Sequence, residues 1–144
     1  MIKIEKSRLG DIREIFKLSI IFDSSEITRE EKIKQALKNS LVWVAKDGKK
    51  VVGYVLCQLF GKDHKELPNS VFVSDLFVLD SYRKQGIGRQ LLQTVLANDF
   101  PVDYTHFSIT YDPEEKNLTH FYQSFAFVVT GETQAGNVKM IKKR

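Results

Sequence analysis

The apolar run VFVSDLFVL, residues 71–79, limits the possible folds more than any other segment of the chain. It is nearly continuous in apolar residues, which is typical of a strand covered on both faces in the centre of a sheet. A polar turn containing Gly86 and Gly88 follows, and behind it a helical apolar stripe is formed by Ile87, Leu91, Leu92, Val95 and Leu96. A strand, a turn and a helix in this order predict an α/β domain.

Further elements precede this segment. Residues 2–5 alternate apolar and charged side chains, as a short strand does. Residues 11–22 carry a helical stripe, and Thr28 with Glu31 resembles a capping box that opens a second helix. These patterns predict one strand and two helices before the next β-rich region.

Asp47 and Gly48 separate two β-rich runs, LVWVAK and KKVVGYVLCQLF, and predict a hairpin, because both central positions of such a turn favour positive φ. Towards the end, THFSITY reads as a strand, residues 114–124 as a short helix, and FVVTG with NVKMIKK as a closing hairpin. The element order is β-α-α-β-β-β-α-β-α-β-β. We therefore predict a single α/β domain over residues 1–144, with four helices and about seven strands in a mixed sheet.

The charge balance favours an anionic partner. The 144 residues carry a net charge of +4 and a pI of about 9.1, which suits nucleic acid, a membrane surface or a phosphorylated cofactor. We expect no nucleic-acid partner, because the aromatic residues fall on apolar strand and helix faces rather than among clustered Lys and Arg. We also expect no membrane partner and a cytoplasmic protein, because no apolar run approaches roughly 20 residues and MIKIEKSRLGDI contains no apolar leader. The single cysteine, Cys57, should pack as a small buried hydrophobe.

The turn RKQGIGRQLL, residues 83–92, has the chemistry of an anion site. Glycine lets the backbone approach a ligand closely. The first N–H groups of a helix lack intrahelical partners and, with the helix dipole, attract phosphate oxygens. Arg83, Lys84 and Arg89 add positive charge. The glycine spacing fits neither a P-loop nor a dinucleotide fingerprint, and a tight turn with solvated basic side chains is the alternative.

The stretch SDLFVLDSYRKQGIGRQLL resembles the central motif of the GNAT superfamily, the acyl-CoA-dependent N-acyltransferases. That motif is a central strand, then [RQ]-x-x-G-x-[GA], then a helix, and Arg83, Gly86 and Gly88 fill it. A second stretch, FYQSFAF at residues 121–127, resembles the family's F-Y-x-x-x-G-F, with Ala126 in place of glycine. The matching element order covers nearly the whole chain.

The resemblance implies acetyl-CoA as the cosubstrate and no metal. In the family the glycine loop and the helix start bind the pyrophosphate, and pantetheine pairs with the backbone of the central strand beside a bulge. Glu115 stands where many relatives carry a CoA-contacting asparagine, and Asn117 is a candidate to replace it. By resemblance, the cofactor-binding residues are Leu76, Phe77, Val78, Arg83, Lys84, Gln85, Gly86, Ile87, Gly88, Arg89 and Asn117.

The resemblance also implies direct transfer of the acetyl group to a primary amine through a tetrahedral intermediate. Tyr122 matches the family's usual general acid. The alternative is packing in one aromatic core stripe of Phe121, Tyr122, Phe125 and Phe127, in which Phe121 and Phe125 have helical spacing. Asp75 is the candidate base, because a carboxylate within an apolar strand is costly unless it is paired or faces a cavity. Simple ion pairing is the alternative role of Asp75. The alternative function is a catalytically inactive CoA-binding regulatory module.

The acceptor is predicted to be a small cationic amine or a peptide amine. In the family the loop between the first two helices helps to build the acceptor pocket. Asp23 and Glu26 in FDSSEIT are therefore the candidate substrate-binding residues, with residues 61–70 as a cover and helix capping as the alternative role of Asp23. The three histidines, His64, His106 and His120, show no metal spacing. A homodimer is compatible with the sequence but is not specified by it.

Overall fold

The computed structural model describes residues 1–25 and 27–144, and these form seven strands and four α-helices. The strands are β1 (Ile2–Lys6), β2 (Val42–Asp47), β3 (Lys50–Phe60), β4 (Ser70–Val78), β5 (His106–Tyr111), β6 (Val128–Glu132) and β7 (Val138–Lys143). The helices are α1 (Ile12–Phe22), α2 (Arg29–Lys38), α3 (Ile87–Ala97) and α4 (Lys116–Gln123). The strands follow one another in the sheet in the order β1-β2-β3-β4-β5-β7-β6.

The architecture confirms the predicted α/β class, the element order and the mixed sheet. β4 and β5 are parallel, whereas β1–β2, β2–β3, β5–β7 and β6–β7 are antiparallel. Residues 71–78 of the apolar run lie in β4, the middle strand of the seven, as the composition of the run predicts.

The β2–β3 hairpin is confirmed, but its turn lies one residue later than predicted. Asp47 is the last residue of β2 and pairs with Lys50, so Gly48 and Lys49 form the turn. Gly48 has a φ of 62°, whereas Asp47 keeps an extended strand conformation. The positive φ that the turn requires is therefore supplied by the glycine alone.

Two compact units are distinguished by their internal contacts. The first comprises residues 1–57 and 75–99. Within it, α3 contacts β1 and β2, and α1 contacts α2. Apolar helix residues fill this core, including Ile15, Leu18, Ile33, Ala36, Ile87, Leu91, Leu92 and Val95.

The second unit comprises residues 58–74 and 100–144. The first residues of β4, Ser70 to Phe72, pair with His106 to Ser108 of β5, and β7 pairs along the whole of β5. α4 contacts β6. The prediction of a single domain over residues 1–144 stays a prediction. No helix formed by the described residues is both long and apolar enough to cross a membrane.

Candidate functional site

The glycine loop forms an exposed turn that leads into α3. Lys84 and Gly86 both lie in the left-handed region, with φ values of 64° and 79°, and Gly86 is the N-cap of the helix. The first intrahelical bond runs from the N–H of Gln90 to the carbonyl of Gly86, at 3.0 Å. The N–H groups of residues 87–89 therefore precede the repeating helical pattern and point away from the helix, as an anion site requires.

Arg83 is anchored at the base of this loop. Its Nε donates to the carbonyl of Val78 at 2.9 Å, and its Nη1 lies 2.8 Å from a carboxylate oxygen of Asp80. The guanidinium also lies over the ring of Phe77, 5.5 Å from its centroid. Arg83 thus ties the end of β4 to the loop, a structural role beyond the phosphate contact that the sequence suggests.

A second tie joins the loop to the β2–β3 hairpin. Tyr82 donates its hydroxyl to Asp47 at 2.7 Å, and Lys50 lies over the Tyr82 ring. The hydrogen bond to Asp47 raises the pKa of Tyr82, because loss of the proton would remove the donor and place two negative charges together. At neutral pH this tie is intact.

Gly53 lies against the end of β4 that is predicted to bind the cosubstrate, and the motif search misses it. A Cβ at this position would lie 2.9 Å from the carbonyl oxygen of Phe77 and 3.3 Å from a methyl of Val78. The residue before it, Val52, accepts a hydrogen bond from the N–H of Leu79 at 2.9 Å. The β2–β3 register also shifts here, between Ala45 and Lys46. The signal in the sequence is a glycine inside a strand, which often marks close backbone approach.

Asp75 is buried, and its carboxylate is paired within the chain. Its carboxylate accepts from the Tyr54 hydroxyl at 2.8 Å and from the Lys32 ammonium at 3.0 Å. The side chains of Asp75 and Lys32 are only 3% and 11% exposed. The pairing that the sequence left as the alternative is therefore present, and the partner is an amine of the chain itself.

Tyr122 lies on α4 inside an aromatic cluster. It is 7% exposed, its ring stacks on Tyr111, and it meets Phe121 and Phe127 edge-to-face. Phe121 and Phe125, which the helical stripe assigned to the core, are only half-buried. Tyr122 is thus buried to a greater extent than Phe121 and Phe125. Its catalytic role stays a prediction.

The two residues at which the chain departs from the family motif, Glu115 and Ala126, lie near opposite ends of α4. Glu115 is the exposed N-cap, and Asn117 is exposed in the first turn. At the other end, Ala126 has a φ of 70°, the left-handed conformation for which the family uses glycine. Contact of Asn117 or Glu115 with a cosubstrate stays a prediction.

The predicted acceptor residues lie between α1 and α2. Asp23 follows α1, and its carboxylate accepts from both the N–H and the hydroxyl of Ser25, at 3.0 and 2.5 Å. These hydrogen bonds lower the pKa of Asp23, and Arg29 donates to its carbonyl. Asp23 is therefore the C-cap residue of α1 and its side chain stabilises the turn that follows, while a substrate role stays a prediction. Glu26 lies outside the described residues.

The loop of residues 61–70 lines a cavity of about 280 Å³ in the second unit. Ser70 and Ser108 are buried beside it and share a hydrogen bond of 2.8 Å, and Ser70 donates to Leu67. The cavity is lined by Glu66, Leu67, Pro68, Ser70, His106, Ser108, Thr130, Lys139 and Ile141. All of these lining residues lie in the second unit, and the predicted role of residues 61–70 as a cover of the acceptor pocket stays a prediction.

Cys57 and His64 pack against, or form hydrogen bonds with, other residues of the chain. Cys57 is fully buried, and burial raises the pKa of its thiol, an effect to which the charge of Asp75 adds. His64 stacks on Phe60, and its Nδ1 accepts from the N–H of Leu67. In the part of the chain that the structure describes, no three His, Cys, Asp or Glu side chains are grouped to hold a metal ion.

A family model and solved structures both match this chain. Residues 38–129 match the family model described as an acetyltransferase (GNAT) domain. A search of curated protein sequences returned no match. Among solved structures, a GNAT-family acetyltransferase from Bacillus cereus has a TM-score of 0.81 at 15% identity, with 100% of this chain and 98% of that chain covered.

Two further solved structures carry acceptor-related molecules. Diaminobutyrate acetyltransferase EctA from Paenibacillus lautus, in complex with L-2,4-diaminobutyric acid and coenzyme A, has a TM-score of 0.76 at 15% identity, covering 98% of this chain and 93% of that chain. Naa50 from Arabidopsis thaliana, in complex with the bisubstrate analogue CoA-Ac-MVNAL, has a TM-score of 0.76 at 19% identity, covering 98% and 97%. At these identities the likeness is one of fold.

Proposed function

Because the chain belongs to the GNAT acetyltransferase family, we propose that it transfers the acetyl group of acetyl-CoA directly to a primary amine. The observation that carries the proposal is the exposed loop at Gly86, which opens α3 and places the N-terminal end of the helix beside basic residues. Pyrophosphate binding there is assigned to the backbone of residues 84–89 and to Lys84 and Arg89. Arg83 contributes charge and holds the loop against β4.

Acetyl-CoA supplies a thioester, whose acyl carbon is attacked by the amine. The new N–C bond forms as the C–S bond breaks, the amine proton passes to a base, and the leaving sulfur takes a proton. A lysine-like amine has a pKa near 10.4, so only about one molecule in 10³ is neutral at pH 7. The enzyme must therefore bring the amine to its neutral form before attack.

Tyr122 is proposed as the general acid that protonates the leaving sulfur. A phenol with a pKa near 10 is a reasonable donor to a thiolate with a pKa near 8.5, once charge has developed on the sulfur. The aromatic rings around Tyr122 support this role, because they fix the orientation of its ring.

Asp75 remains the proposed base. Lys32 and Tyr54 each donate to one of its oxygens, and a carboxylate oxygen can accept more than one hydrogen bond. Proton transfer through ordered water to Asp75 is therefore compatible with its partners. An N–H on β4 near Val78 is proposed to stabilise the oxyanion of the tetrahedral intermediate.

The acceptor is proposed to bind beside the segment between α1 and α2, with a small amine and a peptide amine as the two classes to be distinguished. Supporting both, the neighbour EctA binds a diamino acid and the neighbour Naa50 binds a peptide-derived analogue. Cytoplasmic location and a homodimer are expectations that accompany this proposal.

The deciding experiment is isothermal titration of the protein with acetyl-CoA, beside an Arg83→Ala, Gly88→Glu double variant. We expect saturable binding by the wild type and its loss in the variant, because the variant removes the anchor and places a carboxylate at the helix start. Absence of heat and saturation with the wild type would disprove the cosubstrate site.

A CoA-binding module without catalysis is the second candidate, favoured by Glu115 and Ala126 at two positions where this chain departs from the family. Turnover of amines, measured by release of free thiol, separates the two. We expect turnover by the wild type and a 10²–10⁴-fold lower kcat for Tyr122→Phe, the range typical of a lost general acid. Unchanged acetyl-CoA affinity in Tyr122→Phe serves as the control for folding.

A further inference from the structure

The β2–β3 hairpin holds the segment that joins β4 to the glycine loop. The N–H of Leu79 donates to the carbonyl of Val52 at 2.9 Å. Three residues later, the hydroxyl of Tyr82 donates to the carboxylate of Asp47 at 2.7 Å. The hairpin therefore holds the chain just before the short 3-10 turn Asp80–Tyr82 and again at the last residue of that turn.

The loop beyond Tyr82 adopts conformations that few residues favour. Lys84 has a φ of 64°, although a left-handed conformation is unfavourable for a residue with a Cβ. Gly86 follows with a φ of 79°. Both residues are exposed, so burial contributes little to fixing them. The loop conformation therefore depends on the residues that anchor its two ends, which are Tyr82 and Arg83 on one side and the buried Ile87 on the other.

The two anchors at the near end differ in reach. Arg83 binds the carbonyl of Val78 and the carboxylate of Asp80, which belong to the same stretch of chain. These contacts shape the stretch but move with it. Tyr82 instead binds Asp47, which lies 35 positions away in the sequence. The bond from Tyr82 therefore sets the position of the loop relative to another element.

Asp47 is itself well placed to serve as a fixed acceptor. It is the last residue of β2 and pairs with Lys50 across the hairpin. The Lys50 ammonium lies 5.6 Å from the centroid of the Tyr82 ring. The hydrogen bond to Asp47 raises the pKa of Tyr82, so the phenol keeps its donor proton at neutral pH.

We propose that Tyr82 and Asp47 are positioning residues of the cosubstrate site, and that their hydrogen bond holds the glycine loop in the conformation that receives the pyrophosphate. This inference rests on the proposed binding of acetyl-CoA at the loop. When a loop is only partly in its competent conformation, the apparent dissociation constant rises in inverse proportion to the competent fraction. Loss of the bond should therefore weaken acetyl-CoA binding and leave the chemical step unchanged.

Tyr82→Phe removes the hydroxyl alone and is the first test. We expect its Kd for acetyl-CoA, measured by isothermal titration, and its KM to rise about tenfold, as a competent fraction of about one in ten would give. The kcat at saturating acetyl-CoA, measured by thiol release with the amine that the wild type acetylates fastest, should stay unchanged. Tyr104→Phe makes the same change at another half-buried tyrosine and should keep the wild-type Kd and KM.

Two variants of Asp47 separate the hydrogen bond from the charge. Asp47→Leu removes the acceptor, whereas Asp47→Asn keeps an amide oxygen that can accept from the Tyr82 hydroxyl. We expect Asp47→Leu to weaken acetyl-CoA binding as much as Tyr82→Phe does, and Asp47→Asn to bind more tightly than Asp47→Leu. A Tyr82→Phe, Asp47→Leu double variant should bind no more weakly than either single variant, because both changes remove the same bond.

A wild-type Kd in Tyr82→Phe would overturn the inference, and a loss of stability in urea alongside it would assign the bond to the fold alone. Tighter binding by both Asp47 variants would overturn it as well, because Asp47 would then act on the pyrophosphate through its charge. Additive effects in the double variant, or a lower kcat with an unchanged KM in Tyr82→Phe, would also contradict it. These outcomes leave acetyl-CoA binding by the wild type intact, whereas absence of that binding would remove the proposed function.

Discussion

Ala126 is a residue held in a conformation that suits glycine. It follows α4 with a φ of 70°, and its N–H donates to the carbonyl of Gln123 at 2.9 Å. The left-handed conformation brings the alanine Cβ too close to the backbone. We expect Ala126→Gly to raise the free energy of unfolding by about 1 kcal/mol, measured by urea denaturation.

Ala97→Gly is the matched control for Ala126→Gly. Ala97 ends α3 in a right-handed helical conformation, where glycine lowers stability through its greater freedom in the unfolded chain. The two substitutions should therefore have opposite signs. Destabilisation by both would show that Ala126 carries no backbone strain.

Gly53 should be intolerant of even the smallest side chain. An added Cβ would lie 2.9 Å from the carbonyl oxygen of Phe77, and a backbone atom cannot move aside as a flexible side chain can. We expect Gly53→Ala to lower the free energy of unfolding by about 1–3 kcal/mol, the range for overpacking. It should also weaken acetyl-CoA binding, because the backbone of Phe77 and Val78 must shift.

Gly61→Ala is the matched control for Gly53→Ala, since no atom lies within 4 Å of its added Cβ. Urea denaturation and acetyl-CoA titration of both variants check the expectation. An equal and small effect of the two substitutions would contradict the close approach of β3 to β4 at Gly53.

Sequence patterns predict features that depend on neighbouring residues, such as a turn before a helix. They do not identify partners that are distant in the sequence. A turn at Gly86 and Gly88 that leads into a helix is predicted from the sequence, and Gly86 is the N-cap of α3. Asp75 was recognised as unusual, because a carboxylate in an apolar strand needs a partner. Its partner, Lys32, lies 43 positions away, and no sequence periodicity connects the two. For Tyr122, helical spacing chose the wrong buried face, because the Tyr111 ring that covers it comes from another element.

At the scale of elements, apolar stripes and turn residues predicted all four helices and seven strands. The patterns work because each helix needs one apolar face and each strand an alternation or a continuous apolar run. The hairpin turn was displaced by one residue. Asp47 favours turns by composition, but here strand pairing with Lys50 and the hydrogen bond from Tyr82 hold it in β2.

The start of α1 is tied to β2 by a partly buried ion pair that gives a pH dependence. Asp11 lies 3.0 Å from Lys46 and accepts from the N–H of Arg8 at 2.9 Å. Burial opposes ionisation of Asp11, but the bonds from Arg8 and Lys46 outweigh it, so the pKa of Asp11 is lowered from its ordinary 3.8. The bond to Asp11 raises the pKa of Lys46 from 10.5.

The ion pair should therefore stabilise the fold over a defined range of pH. The lowered pKa of Asp11 means that its contribution is present above pH 3.8 and is lost as the pH falls through the folded-state pKa. The raised pKa of Lys46 means that its contribution is present below pH 10.5 and is lost as the pH rises through the folded-state pKa. We expect Asp11→Asn to cost about 1–3 kcal/mol between pH 5 and 9, measured by urea denaturation.

The difference in stability between wild type and Asp11→Asn should shrink in acid, because protonation removes the same charge that the substitution removes. Lys46→Met tests the pair from the other side and should lose the corresponding stability at neutral pH. A difference that stays constant down to pH 2 would show that the stabilisation provided by Asp11 does not depend on the charge of its carboxylate.

At the scale of the whole molecule, ligand binding should stabilise the folded chain by mass action. A ligand at 100 times its dissociation constant adds about 2.7 kcal/mol to the free energy of unfolding. For a domain of this size, that corresponds to a rise in Tm of roughly 5–15 °C. We expect coenzyme A to produce such a rise in the wild type, and Gly88 is the position that tests whether the glycine loop is responsible.

Gly88→Glu should change the binding of coenzyme A without lowering the stability of the fold. An added Cβ at Gly88 meets only a methyl of Val78, at 3.9 Å, so a side chain fits without a clash. Glycine is a poor helix former, and a carboxylate near a helix N-terminus is favourable. The variant without ligand should therefore unfold at the same temperature as the wild type or at a higher one. The same carboxylate should repel a pyrophosphate, so that the rise in Tm with coenzyme A is lost.

Gly88→Gln is the matched control, because it adds a side chain of the same size without charge. If repulsion is the cause, Gly88→Gln should retain more of the rise in Tm with coenzyme A than Gly88→Glu does, and added salt should narrow the gap between them. Equal loss in both variants would mean that bulk at the helix start is decisive, and that close backbone approach outweighs charge. A full rise in Tm with Gly88→Glu would place the pyrophosphate elsewhere, since an anion bound at the N–H groups of residues 87–89 cannot ignore a carboxylate added within the first turn of the same helix.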